Sequence, residues 1–240
     1  AVTTANITKK PITATINLNN KTYDGDTSVA YSSTNPRVAN SVIAGDAVVV
    51  ENTGSKSFID KHVGVGKTVN ATGLTLSGAD KDNYDFNGTG TGTATINARP
   101  ITVTAVTATK IYNGTAVSTG VPIITNTGSL TTGPIMGSDV ANFTQAYDNR
   151  NAGIGKTLTP SGLVNDGNSG ANYTVTIAMV STGEITQKSI NVTAQPDTKT
   201  YDGTTSSSGV PVVDALESGD SVGTVPTQVY NTKDVDTGKT

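Results

Sequence analysis

Lys21-Thr22-Tyr23-Asp24-Gly25 returns as Lys110-Ile111-Tyr112-Asn113-Gly114 and again as Lys199-Thr200-Tyr201-Asp202-Gly203, with the three tyrosines 89 residues apart. A fixed period of this length constrains the fold more than any other feature, because each repeat is one structural unit that leans on its neighbours. Other landmarks keep the register: Pro11-Ile12-Thr13 with Pro100-Ile101-Thr102, Gly66-Lys67-Thr68 with Gly155-Lys156-Thr157, Gly73-Leu74 with Gly162-Leu163, and Asn83-Tyr84 with Asn172-Tyr173. In this frame residues 1–9 are the last strand of a preceding repeat, and 10–98 and 99–187 are full modules. Residues 188–240 form a third module, truncated before the counterparts of Leu163, Tyr173 and Ile185. A chain that opens on a last strand and stops mid-module is expected to be cut from a longer array. The period does not say where in the cycle a folding unit begins.

Each module opens on apolar–polar alternation, at residues 12–16, 101–105 and 190–194, which predicts a strand with one buried face. The Tyr-Asp/Asn-Gly triplet reads as a turn anchored by its tyrosine, since Asp and Asn bond their own backbone and Gly accepts positive φ. Short β-rich runs follow at 29–31, 47–50 and 57–59, and at 121–124 and 140–143 in the second module. This middle region varies most between modules, as loops do. Strands starting at Lys67 and Lys156, at Tyr84 and Tyr173, and at Ala94 and Gly183 complete the pattern. No window combines helical periodicity with helix-forming composition. About seven short strands per module predict an all-β chain, a tandem end-to-end array of small immunoglobulin-like β-sandwiches, with β-grasp-like modules as the alternative. The junctions at 97–100 and 186–189 are short enough to leave little slack.

Composition sets the outer bounds. Charged residues are 15% of the chain against a usual quarter, formal net charge is −3, and no basic patch is present, so nucleic acid is not an expected partner. Cys is absent, which excludes disulfides and thiolate chemistry. No segment reads as a transmembrane run, and no membrane insertion is expected.

No constellation reads as a catalytic, cofactor or metal site. Residues 64–68 and 153–157 resemble the end of a phosphate-binding loop. The loop's first glycine is replaced by Lys61 and Arg150, and no helix follows, which leaves a turn entering a strand with its lysine on the wet face. Residues 80–85 offer several oxygen ligands for Ca²⁺ but lack the central Gly and final Glu of an EF-hand loop; the bland reading is a solvated Asx-rich loop. His62 is the single histidine and is read as a surface or strand-end residue. Asp24, Asn113 and Asp202 share one position. An amide there would abolish acid–base chemistry while a turn accepts either residue, so the position is structural. Lys67, Lys156 and Lys239 are also equivalent; a Lys–Asn isopeptide crosslink needs Lys buried beside Asn and an acid, and the simpler reading is an exposed lysine.

The Lys-x-Tyr-Asp-Gly motif, the Gly-Asp pairs at 45–46 and 219–220, the Val-Gly-x-Gly-Lys-Thr stretch and the Asn-Tyr pairs, in one fixed order, resemble the YDG-type repeats of large bacterial surface and secreted adhesins, including filamentous-haemagglutinin-like proteins. The second module departs at Asn113 and at Ser138-Asp139. The resemblance implies an exported protein, extracellular or on the bacterial cell surface, with no enzyme activity. Two readings follow from it. The first is a non-enzymatic spacer or stalk whose partners are neighbouring repeats of the same chain and which presents an adhesive region away from the cell. The second is a binding module for a host glycan or protein, with contacts expected at Tyr31 and Arg37 or at Tyr147 and Arg150.

Overall fold

In the computed structural model the chain is all-β, as its alternation requires. The structure describes residues 3–34, 37–51, 54–127 and 133–239, and the one helical element among them is a 3₁₀ turn, Lys81–Asn83. The helix that defines a β-grasp is therefore not found among the described residues.

The chain divides into two compact units. The first holds residues 1–104, 123–143 and 161–178; the second holds 105–122, 144–160 and 179–240. These units do not follow the 89-residue frame. The second repeat supplies strands to both, so the sequence period and the packing unit are out of phase.

In the first unit the main sheet runs Arg37–Asn40, Thr13–Ile16, Thr89–Asn97, Gly64–Thr72, Ser55–Phe58. Its centre is a parallel pairing of Thr13–Ile16 with Thr89–Asn97, flanked by antiparallel neighbours. Lys21–Thr22 adds to the far end of Thr89–Asn97, again parallel, with Ile96 opposite Lys21. The second repeat's opening strand, Arg99–Thr104, lies parallel to Tyr173–Ala178 and antiparallel to Ile123–Asn126. Its buried residues alternate along the strand, as the period-two pattern predicts. Ala14, Ile16, Phe58, Val69, Ile96, Ile101, Val103 and Val164 join one hydrophobic core around Tyr23 and Tyr173, so sheets with one buried face each close on a shared interior. This arrangement is compatible with β-sandwich modules.

In the second unit Val180–Thr186 lies between Thr109–Ile111 and residues 153–158. Thr109–Ile111 lies parallel to Val180–Thr186, repeating the pairing of Lys21–Thr22 with the last strand of its own repeat. The core here is small: Ala105, Tyr147, Leu158 and Ile185. In the third repeat Val192–Thr193 pairs antiparallel with Val212–Val213, and Ser206 makes an isolated bridge to Val229. The alternating run 190–194 does not form the expected half-buried strand, and Ile190 and Val192 stay exposed, because no parallel neighbour pairs with it among the described residues.

Two further expectations change. Residues 29–31 make an isolated bridge between Leu18 and Tyr31, not a strand. The Gly-Lys-Thr stretches do not lead into strands but lie inside them, where Gly66 and Gly155 take φ of 62° and 68° beside irregularities in the ladder.

Candidate functional site

The Tyr-Asp-Gly turn is built the same way three times. Lys21 donates to Asp24 Oδ1 at 2.7 Å, Lys110 to Asn113 Oδ1 at 2.9 Å, and Lys199 to Asp202 Oδ1 at 2.8 Å. The amide that follows each glycine donates back to the same side-chain oxygen, and Gly25, Gly114 and Gly203 all carry positive φ. Because an amide oxygen and a carboxylate oxygen serve equally, Asn113 needs no explanation beyond the turn. The motif lysine also lies over an aromatic ring: Phe58, Tyr147 and Tyr230 in the three repeats.

The tyrosine of the turn does more than anchor a core. Within the first unit the Tyr23 hydroxyl donates to Asp139 Oδ2 at 2.9 Å, a residue of the next repeat. Tyr173, from that next repeat, donates to the same oxygen at 2.7 Å, and Lys61, from the first repeat, reaches Oδ1 at 3.3 Å. The Asp139 side chain is 2% exposed, so a buried carboxylate is satisfied by two hydroxyls and an ammonium. The rings of Tyr23 and Tyr173 meet edge to face, 5.5 Å apart.

The loop carrying Asp139 is itself a preformed turn. The Asp139 amide donates to the Met136 carbonyl at 3.0 Å, and the Met136 amide donates to the Tyr173 hydroxyl at 2.9 Å. In the first repeat the same turn spans Ile43 to Asp46, with Tyr84 donating to Asp46 Oδ2 at 2.6 Å and accepting from the Ile43 amide at 2.9 Å. In the third it spans Glu217 to Asp220. The missing glycine before Asp139 is explained here. The positive φ sits on Gly45 and Gly219 in two repeats and on Gly137, one place earlier, in the second.

The Asn of the Asn-Tyr pair completes the grip. Asn172 is fully buried; its Oδ1 accepts from the Val63 amide at 3.0 Å and its Nδ2 lies 3.2 Å from His62 Nδ1. The lone histidine thus sits against the next repeat. Arg99, 2% exposed, ties the junction by donating to the carbonyls of Tyr23, Gly133 and Pro134.

The arrangement recurs in the second unit. Tyr112 donates to both Asp220 oxygens at 3.0 and 2.8 Å, and Arg150 donates to Asp220 Oδ1 at 2.7 Å. Arg150 occupies the place of Lys61, one period on. The close approach of the turn glycine is repeated too: a Cβ on Gly25 would lie 3.3 Å from Met136 Cβ, and one on Gly114 would lie 3.0 Å from Glu217 Cβ. Met136 and Glu217 each stand three residues before the acceptor Asp.

Electrostatically this is a holding site. Burial, and then the Asp139 carboxylate, push the Tyr173 hydroxyl far above the ordinary tyrosine value. Burial also raises Tyr23, with Lys61 opposing and Asp139 adding to the shift. At Tyr112 the bond to Asp220 is the first cause of a rise and burial the second. All three stay protonated donors, a state suited to clamping a carboxylate.

A family profile for the YDG domain matches residues 8–94 and again 97–182. The chain belongs to the YDG-domain family. The two matches are tandem, and each begins two residues ahead of a repeat in the frame drawn from the tyrosine spacing. Nothing matches the chain among the curated proteins or the solved structures.

The remaining candidate residues of the YDG repeats are held in local structure. Lys67 and Lys156 are not exposed: Lys67 pairs with Asp60 at 2.5 Å, and Lys156, 7% exposed, contacts Asn149 Oδ1 at 2.5 Å and Asp148 at 3.0 Å. Lys, Asn and Asp do therefore meet in the second repeat. Crosslinking would need the acid protonated, and Lys156 instead holds the half-exposed Asp148 below the usual carboxylate range. The third repeat has Thr232 in the place of Asn149, and Lys239 bonds its hydroxyl, so the shared role is closing a turn. In the 80–85 loop Asp80 accepts from the Ala47 amide and Asp82 pairs with Lys81. No group of three or more metal-ligating side chains occurs among the described residues. Tyr31 is flanked by Arg37 and Lys56 over its ring, Tyr147 is buried, and Arg150 is engaged with Asp220.

The sequence reading missed Asp139, Asp220, Lys61 and Arg150 as partners of the tyrosines. One signal was present: Lys61 and Arg150 keep a cation at one position of the period.

Proposed function

We propose that these YDG repeats are non-enzymatic structural spacers in a bacterial surface adhesin, exported to the cell surface, which hold an adhesive region away from the cell. The observation that carries this reading is the Asp139 clamp, which binds side chains of two consecutive repeats to one buried carboxylate and so couples them without a ligand. A spacer needs junctions stiffer than a flexible linker, and short connections reinforced by charge-assisted hydrogen bonds supply that. The tyrosine-anchored turns, protonated and paired, leave no free acid, base or nucleophile in the clamp. Small-angle X-ray scattering of the 240-residue chain, extrapolated to infinite dilution, tests the reading. A long, skewed distance distribution that Ca²⁺ leaves unchanged is expected. A compact particle would overturn it.

A further inference from the structure

We infer that Asn113 modifies itself: its turn converts it to aspartate through a cyclic imide closed by the Gly114 nitrogen, with Lys110 stabilising the oxygen that takes up charge. The inference does not depend on the spacer reading.

The same tripeptide occurs twice, as Asn87-Gly88-Thr89 and Asn113-Gly114-Thr115. Both copies fold into the same local turn. Asn87 Oδ1 accepts from the Thr89 amide at 3.0 Å and the Thr89 hydroxyl at 2.7 Å. Asn113 Oδ1 accepts from the Thr115 amide at 3.3 Å and the Thr115 hydroxyl at 3.0 Å. Gly88 and Gly114 carry φ of 74° and 73°. Both asparagines are exposed, and among the described residues neither glycine amide donates a hydrogen bond. The difference is a cation. The Lys110 ammonium donates to Asn113 Oδ1 at 2.9 Å and is held there by the carbonyls of Thr115 and Val117, at 2.6 and 2.9 Å. Among the described residues no lysine or arginine bonds the Asn87 side chain.

The chemistry follows from that placement. The Gly114 nitrogen, with no side chain on its own Cα to hinder it, attacks Asn113 Cγ, and Oδ1 takes the negative charge of the tetrahedral intermediate. Three donors already stand on that oxygen, one of them charged, which is the arrangement that lowers such a barrier. Collapse breaks the Cγ–Nδ2 bond. The side-chain nitrogen leaves as ammonia with the proton given up by Gly114, and the imide ring is closed. Water then opens it. Attack at the Asn113 backbone carbonyl leaves isoaspartate, with an extra methylene in the main chain. Attack at Cγ returns a proton to the Gly114 nitrogen and leaves aspartate. Lys110 is placed to polarise the Cγ carbonyl and so directs water there. The sum is one water consumed and one ammonia released, with no other reactant. The product is the residue that the other two repeats already carry, where Lys21 and Lys199 pair with Asp24 and Asp202 at 2.7 and 2.8 Å.

Peptide mapping by mass spectrometry, on the whole chain held in mildly alkaline buffer, is the test. Asn113 should disappear faster than Asn87 by about tenfold or more, as loss or gain of one charged donor on an oxyanion requires. Its product should be mainly aspartate, resolved from isoaspartate by chromatography against synthetic peptides. Lys110→Met should bring Asn113 down to the rate of Asn87 and shift the product toward isoaspartate. Lys110→Arg keeps a cation in place and should preserve both the rate and the product. In concentrated urea the two asparagines should react alike, because the turn is gone. An Asn113 that lasts as long as Asn87 in the folded chain would overturn the inference, as would a mainly isoaspartate product or a rate that Lys110→Met leaves unchanged. Should Lys110→Met melt the turn, seen as fast hydrogen exchange at residues 110–112, the wild-type comparison of the two asparagines and the Lys110→Arg rate decide alone. The spacer reading is tested by shape and this one by mass, so either can fail without the other.

Discussion

Each letter of the Tyr-Asp-Gly motif has a separate task. The tyrosine hydroxyl reaches a carboxylate in the following repeat, the Asp or Asn caps the turn, and the glycine lets the following repeat's loop come close. Gly25 and Gly203 separate the last two demands. Alanine at either position meets the left-handed strain of about 1–2 kcal/mol, but only at Gly25 does the new methyl press on Met136. Urea unfolding should show a larger loss for Gly25→Ala than for Gly203→Ala; equal losses would mean that the close approach does not matter. The clamped tyrosines set an alkaline limit. Tyr23 and Tyr173 hold their protons more tightly folded than unfolded. Their contribution is therefore complete below the ordinary tyrosine value of about 10 and is lost as pH rises beyond it toward the folded value. Thermal midpoints should fall above about pH 10, and less steeply in Tyr173→Phe than in wild type. The turn itself was legible in the sequence, since Asp and Gly beside each other have a local cause. The bond from Tyr23 to Asp139 was not, because it joins positions 116 residues apart and follows no periodicity along a strand.

At the level of strands, the third repeat works as an internal control. The Tyr23 amide donates to the Asn97 carbonyl and the Tyr112 amide to the Thr186 carbonyl, both at 2.8 Å, because each turn enters on a strand laid parallel to the last strand of its own repeat. The amides of residues 21–23 and 110–112 should exchange slowly with deuterium, and those of 199–201 fast, as measured by hydrogen exchange with mass spectrometry. Uniform protection of all three would contradict the pairing. The strands with clear alternation, Thr13–Ile16 and Arg99–Thr104, were readable from residue pattern alone. Their parallel neighbours were not, since alternation gives the buried face of a strand and says nothing about the direction of the strand beside it. The same limit applies to residues 190–194, whose pattern matches the other two openings but whose apolar side chains stay exposed, with an antiparallel partner at Val212–Val213 and no parallel one among the described residues.

Taken whole, the molecule distributes its core unevenly. The first unit packs more than a dozen buried apolar side chains into one cluster, and the second has four. Burial of apolar area dominates stability, so the two units should not unfold together. Limited proteolysis should cut first within residues 188–239, before any cleavage in residues 10–104, and urea unfolding should show two steps; a single sharp transition with simultaneous cleavage would refute this. The period of 89 was plain in the sequence, whereas the phase of the packing units was not, because a repeating pattern has no marked beginning. That phase has a consequence for how such a chain can change. Every repeat carries a donor turn at its front and an acceptor aspartate further along, so excising or duplicating one whole period, wherever the cut falls, brings an existing donor against an existing acceptor. Length can therefore drift through unequal recombination while the joint between neighbours is inherited ready-made.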